Sequence, residues 1–220
     1  MTPETTGIPR AESRWPAAAA VAAAVVVQVF FTDRLVPGPT LLLPGLEALL
    51  LVGLLIADPS RLTRESKDLR VLAIALIGIV ALVNAVALGT LVNRLVGSGI
   101  ANGRQLLTAA AGVWLTNVLV FGLAYWELDR GGPLGRAGAR PAPPSPDLWF
   151  PQDADQRSAA PGWRPVFADY LFVSLTAATA FSPTDTMPLT PRAKLLIGLQ
   201  SLVSLLTIGL VAARAVNILH

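Results

Sequence analysis

The chain of 220 residues is 53% hydrophobic and only 14% charged, with a mean hydropathy of +0.59, whereas soluble domains carry about 25% charged residues. It has no cysteine and one histidine, His220, which excludes disulfides, thiolate metal sites, multi-histidine centres and histidine-dependent triads. The net charge of +3 rests mostly on arginine, Lys67 and Lys194 being the only lysines, and in so apolar a chain that excess belongs to cytoplasmic loops before it belongs to nucleic acid.

Residues 1–14 form a polar tail, expected to be cytoplasmic, that ends in the mixed charges Arg10, Glu12 and Arg14. Trp15 and Pro16 then open an Ala/Val run to Phe31, which reads as an uncleaved first span with Trp15 at the interface. A second apolar run, Leu41 to Ala57, carries Pro44, Gly45 and the carboxylate of Glu47. The short connection after it holds Arg61, Arg64, Lys67 and Arg70, the clearest positive-inside signal in the sequence. A third run, Val71 to Val92, has Asn84 near its middle, and a fourth, Leu106 to Trp126, has Thr116 and Asn117. Tyr125, Trp126, Glu127, Asp129 and Arg130 read as this helix leaving the hydrocarbon through an aromatic belt into water. Residues 15–130 are thus expected to be a four-helix transmembrane region.

Residues 131–165 change regime. Gly, Pro, Ala, Asp and Arg dominate, with Pro-Ala-Pro-Pro-Ser-Pro at 141–146, and such a linker is expected to be extended or irregular, with Trp149, Phe150 and Trp163 on the membrane surface. The last unit, 166–220, starts with an apolar stretch from Val166 to Phe181, about 24 Å long as a helix, short for a span and long for a loop. A polar break at Ser182, Pro183, Thr184 and Asp185 follows, and then an uncharged run from Leu195 to Ala213. The expected fold is all-α, a multi-pass transmembrane bundle. It has six spans if 166–181 crosses, or five if that segment is re-entrant before the last helix. Composition rich in Ala, Gly, Pro and Arg points to a bacterial inner membrane.

The run Thr179-Ala-Phe-Ser-Pro-Thr-Asp185-Thr-Met-Pro188-Leu-Thr190 resembles the pore loop of tetrameric potassium channels, TTVGYGDxxPxT, with Asp185, Pro188 and Thr190 matching in place. Asp169 to Thr176 resembles a pore helix and Leu195 to Val216 an inner helix, so the resemblance covers roughly the last quarter of the chain. The chain is also similar to uncharacterised multi-pass bacterial membrane proteins with this type of C-terminal half. The resemblance implies a homo-oligomer passing a monovalent cation. The two glycines that let such a filter present its carbonyls fall here on Ser182 and Thr184, with Pro183 between them, which implies a pore-loop ancestry with an altered filter.

Ionisable groups inside spans cost at least ~2.5 kcal/mol on insertion scales, so Glu47 and Asp169 are candidates for an ion pathway with Thr179, Ser182, Thr184 and Asp185. Each has a structural alternative. Glu47 could pair with Asn84 or Asn117, Asp169 could serve the N-terminus of its helix, and Asp185 could cap the turn. Gln200, Ser201, Ser204 and Thr207 form one polar stripe, suited either to line a path or to join helices. Arg214 would snorkel at the end of its helix. No phosphate-cradling loop, metal-ligand cluster or activated nucleophile is present, so neither an enzyme nor a cofactor is expected. The partners expected are the lipid bilayer, further copies of the chain and a small cation. The functional alternatives are a channel-like or transporter-like protein and a non-conducting scaffold or partner subunit.

Overall fold

The computed structural model describes Glu12 and residues 15–31, 45, 49, 67–96, 103–137, 145–155, 157, 159–179, 182 and 185–218. The second expected span, Leu41 to Ala57, therefore falls almost wholly outside the described residues, as do Glu47 and Thr184.

The chain is mostly helical. Helices α1 (Trp15–Phe31), α2 (Lys67–Val96) and α3 (Gly103–Leu128) are followed by a 3-10 turn, Asp129–Gly131, and the short α4 (Gly132–Arg136). Next come β1 (Leu148–Trp149), α5 (Pro151–Ala154), α6 (Phe167–Thr179), β2 (Met187–Pro188) and α7 (Pro191–Ile218). Arg70–Asn93, Leu106–Gly131 and Pro191–Arg214 are long and apolar enough to cross a membrane, and they coincide with three of the expected spans. α6, at 13 residues, is roughly 20 Å long against a hydrocarbon core of ~30 Å.

α3 is the axis of the bundle. Its Val113, Val120, Phe121 and Leu123 are buried beneath α1, α2, α6 and α7, whereas Val71, Leu72, Leu82 and Val86 on α2 and Leu195, Leu199, Leu202 and Leu205 on α7 are exposed. An apolar helix with an open apolar face suits a bilayer, where lipid tails replace the missing core. Gly122 marks a close approach of α3 and α6, because a Cβ there would lie 3.2 Å from Leu171 Cδ1 and 3.3 Å from Leu171 Cα.

Helix directions follow from the contacts. Arg70 of α2 meets Glu127 of α3, and Asn84 meets Val113, so α2 and α3 are antiparallel. Ser174 of α6 bonds Val118, while Gln200 and Ser204 of α7 bond Tyr125 and Asn117, so α6 and α7 both oppose α3. α6 and α7 therefore run side by side in the same direction, and Ser174 and Ala177 accept from Gln200 and Ser201 in matching order. α2, α6 and α7 begin, and α3 ends, at one end of the bundle, the base, which Glu12 also reaches.

Two expectations are corrected at the base. Tyr125, Trp126, Glu127 and Asp129 do not emerge into water; they are at most 2% exposed, because the chain after α3 folds back over them. Arg130 (φ 53°), Gly131 (φ 79°) and Gly132 (φ 80°) are three successive residues with positive φ that reverse the chain. This is routine for glycine and costs roughly 1–2 kcal/mol for arginine. The linker is also not simply irregular. Residues 132–136 are helical, and Asp147, Leu148 and Phe150 are buried, with β1 paired antiparallel to β2 through Leu148 with Pro188 and Trp149 with Met187. Its few apolar side chains suffice because they complete an existing core: Phe150 packs edge-on to Tyr170 at 5.4 Å and to Trp163 at 5.9 Å.

Candidate functional site

Two polar constellations hold the α6–α7 pair. The first is a seam between α3, α6 and α7. Gln200, fully buried, accepts from the Tyr125 hydroxyl at 2.6 Å and donates to Ser174 Oγ at 2.7 Å and Ser174 O at 2.8 Å. Ser174 Oγ donates to Val118 O at 2.6 Å, and Asn117 Nδ2 donates to Ser204 Oγ at 2.9 Å and Gln200 O at 3.1 Å. Each interhelical bond in a membrane is worth about 0.6 kcal/mol on average. The greater effect is on register, because a slip of one residue would leave several of these groups unpaired in an apolar medium. Gln200, Ser201 and Ser204 of the stripe thus join helices in this structure, whereas Thr207 returns its hydroxyl to Val203 O of its own helix at 2.7 Å.

The second constellation is a set of carboxylates at the base. Asp129, 1% exposed, accepts from Asp147 N at 2.7 Å, Leu148 N at 3.2 Å and the Tyr170 hydroxyl at 2.6 Å, and pairs with Arg130 Nε at 3.3 Å. Asp147 in turn accepts from Thr190 Oγ1 at 2.5 Å and from Arg192, while its carbonyl takes Leu189 N at 2.8 Å. Thr190 Oγ1 caps α7 by accepting from Ala193 N at 3.2 Å. Glu12 accepts from Phe167 N at 2.6 Å, Trp126 Nε1 at 2.9 Å and Arg136 Nη2 at 3.2 Å. The starts of both parallel helices are therefore held by carboxylates from other parts of the chain. Burial pushes the Tyr170 phenol well above its ordinary value; the Arg136 cation, its centre 4.8 Å from the ring, acts against that shift and Asp129 acts with it. The phenol therefore stays protonated and remains a donor to Asp129.

The residues singled out from sequence are dispersed. Asp169 is half-buried in the first turn of α6, where its Oδ2 accepts from Val166 N at 2.7 Å, a capping role that suits the positive end of the helix dipole. Thr179, ten residues on, lies roughly 15 Å farther along the helix, exposed, with its hydroxyl turned back to Leu175 O at 2.9 Å. Ser182 and Asp185 are both exposed. Asn84 donates to Val113 O at 3.1 Å.

Sequence reasoning missed the roles of the base carboxylates Glu12, Asp129 and Asp147 and their partners Arg136, Tyr170 and Arg192. The available signal was the density of paired charges flanking Trp126, read as solvated because it follows an aromatic belt. Among the described residues no group of three or more His, Asp or Glu converges on one metal position. A recess beside Tyr125, Asp147 and Arg192 has a cavity volume of only about 10 Å³, room for about one water and far short of ligand pockets, which start at ~300 Å³. No known protein family, curated protein or solved structure matches this chain.

Proposed function

We propose that this integral membrane protein is channel-like and that α6 is a re-entrant helix, entering from the base and returning to it before α7 crosses. The observation that carries the reading is the parallel course of α6 and α7 from one base, with β2 already back at that base beside β1. The eight steps from Thr179 to Met187 reach at most roughly 26 Å, enough to retrace the roughly 20 Å that α6 climbs. On this reading α1, α2, α3 and α7 are spans and the apolar run 41–57, which lies almost wholly outside the described residues, is the fifth expected from sequence, with the arginine-rich base on the cytoplasmic side of a bacterial inner membrane. Irregular backbone at membrane depth is tolerated only where protein or water covers it. Most polar atoms of the α3–α6–α7 seam bond one another, Asn117 Oδ1 being the exception, so a cation route follows the open face of the hairpin past Thr179, Ser182 and Asp185, with Thr184 between them in sequence.

Liposomes carrying the purified protein test this. Potassium or sodium flux is expected, reduced or altered in selectivity by Asp185→Ala. The second reading, a non-conducting scaffold, is favoured by the hydrogen bonds that join helices across the seam and by the Thr179 hydroxyl, which is spent on Leu175 O of its own helix. Folded protein that passes no potassium, sodium or protons under imposed gradients would establish that reading and retire the first.

A further inference from the structure

Three donors converge on the Glu12 carboxylate, and each is fixed by contacts that do not involve Glu12. Trp126, 1% exposed, packs edge-on to Phe167 at 5.9 Å. Arg136 is anchored by Nη1, which donates to Trp126 O at 2.8 Å and Asp129 O at 3.1 Å, and by its stacking over the Tyr170 ring. Phe167 N is the first amide of a 13-residue helix, a group with no partner inside its own helix and a positive local field. An indole N–H, a guanidinium and a helix N-terminus aimed at the two oxygens of one carboxylate form a receptor for that group. Its occupant comes from a separate part of the chain. Glu12 precedes α1, whereas every donor belongs to the region from α3 to α6.

We propose that Trp126, Arg136 and the start of α6 form a carboxylate-binding site for which Glu12 is the resident ligand. The proposal goes beyond ion passage and does not depend on it. Removing Glu12 leaves the donors in place and buried, so a small free carboxylate should fill the vacancy.

The experiment is chemical rescue of the full chain in detergent. Glu12→Ala is expected to lower the thermal unfolding midpoint by about 5 °C or more. Sodium formate or acetate should restore most of that loss in a saturable manner, whereas sodium chloride at equal ionic strength should not. Recovery that is absent, or equal in chloride, would overturn the assignment and leave Glu12 as a simple tether. Glu12→Gln provides the second measurement. Its amide oxygen can still accept from Phe167 N but offers Arg136 no charge, so its midpoint should lie between those of wild type and Glu12→Ala and should not respond to formate. A Glu12→Gln midpoint equal to wild type would also refute the site. The readout is thermal, so silent liposomes leave the proposal standing and failed rescue leaves the flux result untouched.

Discussion

Asp129→Ala is the most demanding single test of the base. The carboxylate is 1% exposed and accepts from two backbone amides and one phenol, while pairing with Arg130 at 3.3 Å. Alanine leaves Asp147 N, Leu148 N and Tyr170 Oη without their acceptor, and leaves Arg130 with Asp153 at 2.5 Å and Leu148 O at 3.3 Å. Breaking one side of a buried charge pair costs about 3–5 kcal/mol. For a chain of this size that corresponds to a fall of very roughly 6–20 °C in the unfolding midpoint. Two partial variants divide the total. Tyr170→Phe removes one bond to a charged acceptor, about 1.5–3 kcal/mol. Asp129→Asn keeps the oxygen facing the two amides but places an NH₂ where the phenol donates, so its loss should exceed that of Tyr170→Phe and fall short of that of Asp129→Ala. The assay is thermal unfolding in one detergent, followed by tryptophan emission. An Asp129→Ala midpoint within 2 °C of wild type would show that the carboxylate is solvated and that the base does not hold the bundle as described.

Gln200→Leu should cost roughly 2 kcal/mol through the three interhelical side-chain bonds it removes, and an engineered Ala177→Cys/Ser201→Cys crosslink should form more slowly in that background. Gly122→Leu should separate α6 from α3, because even a methyl group there meets Leu171 at 3.2 Å; a loss of about 1–3 kcal/mol is expected, and retention of wild-type stability would count against the packing. The re-entrant reading predicts that cysteines at Arg157 and Met187 are labelled from the same side of the membrane and one at Ala213 from the opposite side. Labelling of Met187→Cys from the far side would make α6 a crossing segment. Unfolding stability should decline as pH rises beyond about 10, where an unfolded phenol ionises but the raised value of Tyr170 keeps the folded phenol protonated, and Tyr170→Phe should reduce that decline.

The long elements were legible because they depend on composition alone. Runs such as Val71 to Val92 have no stable alternative to a helix once the solvent is lipid. The seam was half legible. Gln200, Ser204 and Thr207 fall on one face by spacing, but the choice between path and joint depended on Asn117, Tyr125 and Ser174, which are far away in sequence and opposite in space. The base was not legible. Whether Asp129 faces water or protein is decided by a chain reversal at Arg130, Gly131 and Gly132, and only the glycines advertise it. Asp147 sits in a proline-rich stretch whose composition predicts irregular chain; its burial follows from pairing with the return strand at Met187 and Pro188, a non-local partner that no window of sequence contains.

The described polar fastenings crowd toward one end. Away from the base, α2, α3 and α7 meet through Leu91, Leu106, Ala109, Ala110 and Val211, side chains that offer only dispersion contacts to one another. A bundle built this way resembles a bouquet tied at the stems: its far end can tilt to suit the thickness of the surrounding bilayer while the knot stays shut, and amide exchange should therefore run faster toward that end than at the tie.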